Sequence, residues 1–343
     1  MKHLRTIKVG NVVIGPNNHI VIQSMTTTKP RDINETIKAI NTLAESGAEI
    51  VRVSIETMDD ALAIKEIKPF IKVPIVGDIH FDHHLAIAAI ENGIDKIRIN
   101  PGNILNIEGL HATVDAARNA QIPIRIGFNS GSISKIVQNK SQIDNLMETV
   151  DHFVKLFESW NFYDFCISIK MTNPILTIKA NELCHERYDY PLHIGLTEAG
   201  DIISGTVRSS YVIGTLINKG IGDTIRVSLS AKPEKEIEVA KEILKMHNKL
   251  SGATLISCPT CGRTSYDMLK LIDEIGPFIR NINKNITIAI MGCVVNGPGE
   301  AKDADLGIAG NNDKIMLFKK GKIIKTIDKK DVKQVLLEEI EKL

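Results

Sequence analysis

The sequence predicts an α/β fold class, an N-terminal (β/α)8 TIM barrel followed by a small α/β domain, and three observations support it. Short β-branched runs alternate with helix-period segments over the first two thirds of the chain, the pattern of parallel βαβ units. Eight such runs can be counted, the number a closed barrel needs. No G-x-G-x-x-G turn follows the first of them, which makes a doubly wound open sheet the weaker choice.

The runs, in order, are HIVIQSM from His19, AEIVRVSI from Ala48, VPIVGDIH from Val73, DKIRIN from Asp95, IPIRIGFN from Ile122, YDFCISIK from Tyr163, PLHIGLTE from Pro191 and DTIRVSLS from Asp223. Between them lie helical segments such as DINETIKAINTLAESG, Asp32 to Gly47. It has an N-cap candidate at its start, apolar residues spaced by three and four, and a terminal glycine. The barrel is expected over residues 1–232. The charged helical stretch PEKEIEVAKEILKMHNKL reads as a connector over 233–252, and a second domain occupies 253–343. That domain carries the strand candidates ATLIS, NITIAIM and KIMLFKKGKIIKTI with two helical stretches, and it holds three of the five cysteines.

Composition narrows the function classes. The 343 residues are 43% hydrophobic, enough for a full core, and 42 basic against 41 acidic residues leave a net charge of +1. With aromatics at only 4%, neither a cationic footprint nor stacking platforms for nucleic acid are visible. No apolar run reaches signal-peptide or membrane-spanning length, so a cytoplasmic protein is expected. An odd number of cysteines in such a chain points to reduced thiols or metal ligands and not to a disulfide framework.

Four strand candidates repeat one motif: Arg52 with Ser54, Arg98 with Asn100, Arg125 with Asn129, and Arg226 with Ser228. Strand alternation places each arginine on the face opposite its Ile and Val neighbours. If those neighbours meet the helices, the arginines face the barrel interior near the C-terminal ends of the strands. One arginine of this kind is better read as an outward residue paired with a helix carboxylate. Four in the same register are not, and convergent buried guanidinium groups require an anionic partner such as a diphosphate. Lys170 with Ser168, Asp78, His80, Thr197 and Glu198 sit at other strand ends, giving a cationic bowl with a few acid/base groups. His80 fits a metal ligand or an orienting hydrogen-bond donor, and His83 and His84 open the next helix.

In the second domain, Cys258-x-x-Cys261 is joined by Cys293 in GCVVNGPGE. A C-x2-C pair alone is ambiguous among zinc, thiol redox and iron–sulfur sites. No histidine follows His247, which removes a Cys3His zinc site, and a dithiol couple has no use for a third cysteine. Three thiolates suit a [4Fe–4S] cluster with one distinct iron. Glu300 closes the Gly-Pro-Gly turn, and the residues alone leave it between an oxygen ligand to the same group and a solvated turn glutamate.

The segments VIQSMTTT, GDIHFDHHLA, KIRINPGN, SIKMTNP, HIGLTEAG, GDTIRVSLS, SCPTCGRTSYD and GCVVNGPGE, in this order from about Val21 to Gly310, resemble the 4-hydroxy-3-methylbut-2-enyl diphosphate synthases (the IspG/GcpE family) of the methylerythritol phosphate route to isoprenoids. The resemblance implies reductive ring opening of 2-C-methyl-D-erythritol 2,4-cyclodiphosphate with two electrons passed through a [4Fe–4S] cluster. It implies cluster ligation by Cys258, Cys261, Cys293 and Glu300. Diphosphate binding would fall to Arg52, Arg98, Arg125, Lys170, Arg226 and Ser228, helped by Asn100, Asn129 and Thr197. Asp78, His80 and Glu198 would lie near the reacting carbons, Glu198 in an acid/base role, with Arg263 and Asn296 beside the cluster. The family also implies a ferredoxin or flavodoxin as electron donor, and a homodimer in which the cluster domain of one subunit serves the barrel of the other. The short connector corresponds to the bacterial two-domain form.

Overall fold

The computed structural model describes residues 5–343 apart from residue 81, residues 101–105, residues 130–139 and positions 296 and 312, and it leaves aside the side chains of 297 and 298. It divides into two compact units, Met1–Lys249 and Leu250–Leu343.

The first unit opens with an antiparallel hairpin, β1 (Ile7–Val9) and β2 (Val12–Ile14), whose strands are too short to be legible as a period-2 pattern. Its apolar side chains Ile7, Val9 and Ile14 pack with Val21, Ile50, Val76 and Cys166. These belong to the first residues of barrel strands, so the hairpin plugs the N-terminal end of the barrel and leaves the other end for chemistry.

Eight parallel strands follow: β3 (Val21–Met25), β4 (Ile50–Ile55), β5 (Ile75–Ile79), β6 (Lys96–Ile99), β7 (Ile124–Phe128), β8 (Phe165–Ile169), β9 (His193–Gly195) and β10 (Thr224–Arg226). Their order is β8-β7-β6-β5-β4-β3-β10-β9, and a parallel bridge between Ile167 and Leu192 joins the two ends into a ring. All eight predicted runs are strands, and the expected barrel is formed.

The surrounding helices are α1 (Ile33–Ser46), α2 (Met58–Ile67), α3 (His83–Glu91), α4 (Ile107–Ala120), α5 (Gln142–Ser159), α6 (Pro174–Arg187), α7 (Ile202–Asn218) and α8 (Pro233–Met246). In α5, Ser141 accepts the Asp144 N–H as N-cap, and Ile143, Leu146, Met147, Val150, Phe153, Val154 and Phe157 form a buried stripe at helical spacing. Gly47 ends α1 in the left-handed conformation with φ 112°, its N–H reaching Leu43 and Ala44 carbonyls. Asp32 stands at the N-cap position of α1 but makes no side-chain capping bond.

One expectation is corrected. The stretch read as a connector over 233–252 is, for most of its length, the eighth barrel helix. Ile237, Ala240, Ile243 and Leu244 of α8 are buried, and the helix packs on β3, β10, α1 and α7. Its charged residues masked a four-residue apolar stripe that suffices to dock one helix face. The first unit accordingly runs to Lys249.

The second unit is a five-stranded sheet in the order β11 (Thr254–Ser257), β12 (Thr287–Met291), β13 (Leu306–Asn311), β14 (Lys314–Lys319), β15 (Lys322–Asp328). The strands β11 to β13 are parallel and the last two antiparallel. Helices α9 (Met268–Arg280) and α11 (Val332–Glu341) cover one face through Ile275, Ile279, Leu336 and Ile340. Between them in sequence, α10 (Gly297–Glu300) is a single turn. The strand β13 is not legible in the sequence because two glycines, Gly307 and Gly310, interrupt its short apolar run LGIAGN. A Cβ on Gly307 would lie 2.2 Å from the Phe318 ring, so the glycine makes room for the neighbouring strand's aromatic side chain.

Candidate functional site

The C-terminal ends of the barrel strands surround a cavity of about 220 Å³. Its wall contains eleven of the residues singled out from the sequence: Arg52, Asp78, His80, Arg98, Arg125, Asn129, Ser168, Lys170, Thr197, Arg226 and Ser228. Strand alternation delivers them. In β4, Val51, Val53 and Ile55 are buried against the helices while Arg52 and Ser54 turn inward, and the parallel register sets Arg98 beside Asp78 and Arg125 beside Arg98.

Asp78 is the acid at the centre of this cationic wall. Its Oδ1 accepts from Arg98 Nη1 at 3.0 Å, and its Oδ2 lies 3.7 Å from Arg52 Nε and 3.5 Å from His80 Nε2. Burial by itself would raise Asp78, but the Arg52 guanidinium, the His80 hydrogen bond and then Arg98 and Arg125 outweigh it and hold the carboxyl well below the usual range. Asp78 is therefore a fixed anion that aligns two guanidinium groups and an imidazole, and a poor proton donor near neutral pH. Arg52 also donates from Nε and Nη2 to Met25 Sδ at 3.0 and 2.8 Å.

The other cations are less well compensated. Burial lowers Arg125 to about 10, with Arg98 reinforcing the shift. Among the described residues its Nη1 meets the neutral Gln23 Oε1 at 3.4 Å, and its Nε has no hydrogen-bond partner. Lys170 is lowered by burial, then by Arg125, Arg226 and Arg52. Arg226 Nη2 lies 3.5 Å from Glu236 Oε2, and that carboxylate is anchored by the Leu229 N–H at 3.0 Å. Glu236 belongs to α8, so taking that helix for a connector hid it from the sequence reading. Four arginines and a lysine thus face two carboxylates across one cavity, an imbalance that suits a small polyanion.

Two predicted residues take other places. Asn100 is buried at the end of β6, off the cavity wall. Glu198 is exposed beyond β9 with a left-handed φ of 52°, and it accepts a 2.8 Å hydrogen bond from Thr172 Oγ1. A non-glycine residue held in that conformation carries some strain, a feature met at ligand sites. Among the described residues, the trio Asp82, His83 and His84 does bring its ligand atoms within 4.8 Å of one another. It is accounted for locally: Asp82 is the N-cap of α3 and accepts from His84 N and Nδ1.

The second unit gathers the cysteines. Cys258 follows β11 and Cys293 follows β12, adjacent parallel strands with Ser257 opposite Ile290. The Gly292 N–H donates to Cys258 Sγ at 3.2 Å. In the turn after Cys258, the Cys261 N–H donates to Thr264 Oγ1 at 3.1 Å and the Thr264 N–H returns to the Cys261 carbonyl at 2.9 Å. Cys261 is lowered chiefly by the Arg263 backbone N–H and then by its side chain. Arg263 in turn is raised by the hydrogen bond with Cys261 and by the charges of Cys261, Cys293 and Glu300, so one guanidinium senses three of the four expected ligands. The fourth, Cys258, packs on the edge of the apolar core with Tyr266. Asn296 lies outside the described residues.

Three thiols and one carboxylate in the second unit, with no histidine after His247, are a donor set that fits an iron–sulfur cluster.

Comparison with known proteins adds the following. The GcpE TIM-barrel domain matches residues 4–241 and the GcpE protein C-terminal domain residues 254–342. A 4-hydroxy-3-methylbut-2-en-1-yl diphosphate synthase (flavodoxin) from Caldanaerobacter subterraneus subsp. tengcongensis is 49% identical over 346 residues, covering 100% of this chain and 98% of that protein. One of the same description from Anoxybacillus flavithermus is 47% identical over 343 residues, covering 99% and 94%. Among solved structures, 7,8-dihydropteroate synthase from Vibrio fischeri superposes with a TM-score of 0.52 at 10% identity, over 71% of this chain and 98% of its own, a likeness of fold alone. No helix among the described residues is long and apolar enough to cross a membrane.

Proposed function

The chain belongs to the GcpE family, and from that premise we propose that it is a 4-hydroxy-3-methylbut-2-en-1-yl diphosphate synthase of the methylerythritol phosphate pathway, an oxidoreductase that opens 2-C-methyl-D-erythritol 2,4-cyclodiphosphate. Two electrons and two protons enter and one water leaves. The observation that carries this reading is the undercompensated cationic cavity, which matches a compact cyclic dianion in size and in charge.

In this reading Arg52, Arg98, Arg125, Lys170, Arg226 and Ser228 hold the diphosphate, with Asn100, Asn129 and Thr197 beside it. Ring opening places a further negative charge on the released phosphate oxygen, so preset guanidinium groups stabilise the product side of that bond cleavage more than the ground state. Asp78 keeps Arg52, Arg98 and His80 aligned at the reacting carbons. Glu198, exposed and within reach of solvent protons, is the residue assigned to proton transfer.

Cys258, Cys261, Cys293 and Glu300 would hold a [4Fe–4S] cluster, with Arg263 and Asn296 at its edge. When bound, the cluster supplies single electrons and a Lewis-acidic iron. Flavodoxin, named in the descriptions of the relatives, is the electron donor favoured over ferredoxin. The remainder of the proposal is a cytoplasmic homodimer in which the cluster unit of one subunit serves the barrel of its partner.

The test is metal and acid-labile sulfide content after oxygen-free purification, followed by turnover of the cyclodiphosphate with a chemical reductant. About four iron and four sulfide per chain together with turnover are expected. Stoichiometric zinc without sulfide would overturn the reading.

A further inference from the structure

Beneath the cavity the barrel interior holds a layer of polar side chains that the reaction does not touch. Lys96, the inward residue two before Arg98 on β6, is fully buried, and its Nζ has no hydrogen-bond partner among the described residues. The charged and titratable groups that face it are Cys166 of β8, Arg125 of β7, Arg52 of β4 and His193 of β9. None can neutralise an ammonium. Two are guanidinium groups, burial pushes the Cys166 thiol up and keeps it protonated, and burial together with the surrounding cations lowers His193. Asp164 and Asp223 act on Cys166, and Asp78 is engaged by Arg52, Arg98 and His80.

An amine in this position is costly when charged and makes no hydrogen bond when neutral, so a methionine of similar volume would serve packing better. What a lysine adds is a charge that can be acquired when the environment changes. The one change available is the arrival of negative charge in the cavity above, next to Arg98 and Arg125.

We propose that Lys96 is a buried counter-charge of the polyanion site, a positioning residue that takes up a proton as the anion binds and steadies it from below without touching it. This rests on the reading of the cavity as the cyclodiphosphate site. Burial lowers Lys96 to about 8 in the empty barrel, opposed by Cys166 and reinforced by Arg125 and Arg52. An anion above it shifts that value back up. Below about pH 8 the proton is already in place, and above it binding must recruit one. Affinity contributed by Lys96 then falls by up to about tenfold per pH unit above pH 8.

The experiment is titration calorimetry at about pH 9 in buffers of different ionisation enthalpy, comparing wild type with Lys96→Met. The probes are the cyclodiphosphate and cyclotriphosphate. Every phosphorus in either ring carries a single strongly acidic oxygen, so neither ligand brings a titrating proton. Wild type is expected to take up close to one proton more per ligand than Lys96→Met, and its affinity to decline more steeply with pH. Equal proton counts would overturn the inference, as would the absence of uptake in wild type, a measurement that needs no variant to fold. Lys96→Gln, polar but without charge, must behave as Lys96→Met does. Binding of cyclotriphosphate alone, with the extra proton, would remove the proposed substrate and leave this inference standing. Failure of both rings to bind would remove both.

Discussion

Replacing Arg98 with alanine separates a binding residue from a structural one. The Arg98 side chain is 13% exposed and donates from Nη1 to Asp78 Oδ1 at 3.0 Å. In the free protein its loss removes an ion pair, but it also relieves Arg52 and Arg125, both of which Arg98 disfavours by like charge. Asp78 keeps Arg52 at 3.7 Å. The two effects oppose each other, so stability should change by about 1 kcal/mol or less, a Tm shift of roughly 2–4 °C for a unit of this size. Binding has no such offset. One or two charge-assisted hydrogen bonds to the diphosphate, each about 1.5–3 kcal/mol, are lost together, so about 3 kcal/mol or roughly a hundredfold in Kd is expected. Arg98→Lys should recover part of this, since it returns the charge without the planar fork. Calorimetric titration with the cyclodiphosphate and a thermal melt of the same samples provide both numbers. A Kd within threefold of wild type would refute the placement of the ligand, and a collapse in Tm would assign Arg98 to the fold.

Three further outcomes are expected. In Gly127→Ala the new Cβ would stand 2.8 Å from Arg98 Nε and 3.2 Å from Nη2, so the guanidinium must swing aside; Kd should rise by roughly tenfold with little change in the melt, and a normal Kd would show that Arg98 is not held in place. Glu300→Ala should retain iron and sulfide but lose most turnover with a chemical reductant, and full activity would remove Glu300 from the cluster. Lys96 has a depressed value in the folded chain, so its cost is fully present below about pH 8 and fades as pH approaches the unfolded value of roughly 10.4. Lys96→Met should therefore be the more stable protein at pH 7, by on the order of 3 kcal/mol, with the gap closing by about pH 10 in urea melts; a gap independent of pH would contradict a lysine that is neutral in the barrel above pH 8.

Much of the site was legible along the chain because its signals are local. Period-2 alternation in VRVS, IRIN, IRIGFN and IRVS is sufficient to turn Arg52, Arg98, Arg125 and Arg226 the same way, whatever the neighbouring strands do. The cysteine spacing and the absence of later histidines likewise narrow the metal chemistry without a fold. Where local signals mix, the reading failed. Two glycines in a six-residue run hid β13, whose need for Gly307 lies in Phe318 on another strand, and surface charge hid the apolar stripe of α8.

The sequence by itself determined most of the element types, the inward register of the arginines and the spacing of the cysteines in the second unit, since each depends on residues a few positions apart. Only the tertiary structure decided which charges meet. Strand stagger and ring closure set Asp78 among Arg52, Arg98 and His80, brought Glu236 from α8 to Arg226, and left Lys96 buried beneath the cavity with no hydrogen-bond partner among the described residues. Apart from the nearby His80, those pairings join residues 20 or more positions apart or on different elements, and pairwise electrostatics depends on distance and burial, neither of which periodicity encodes.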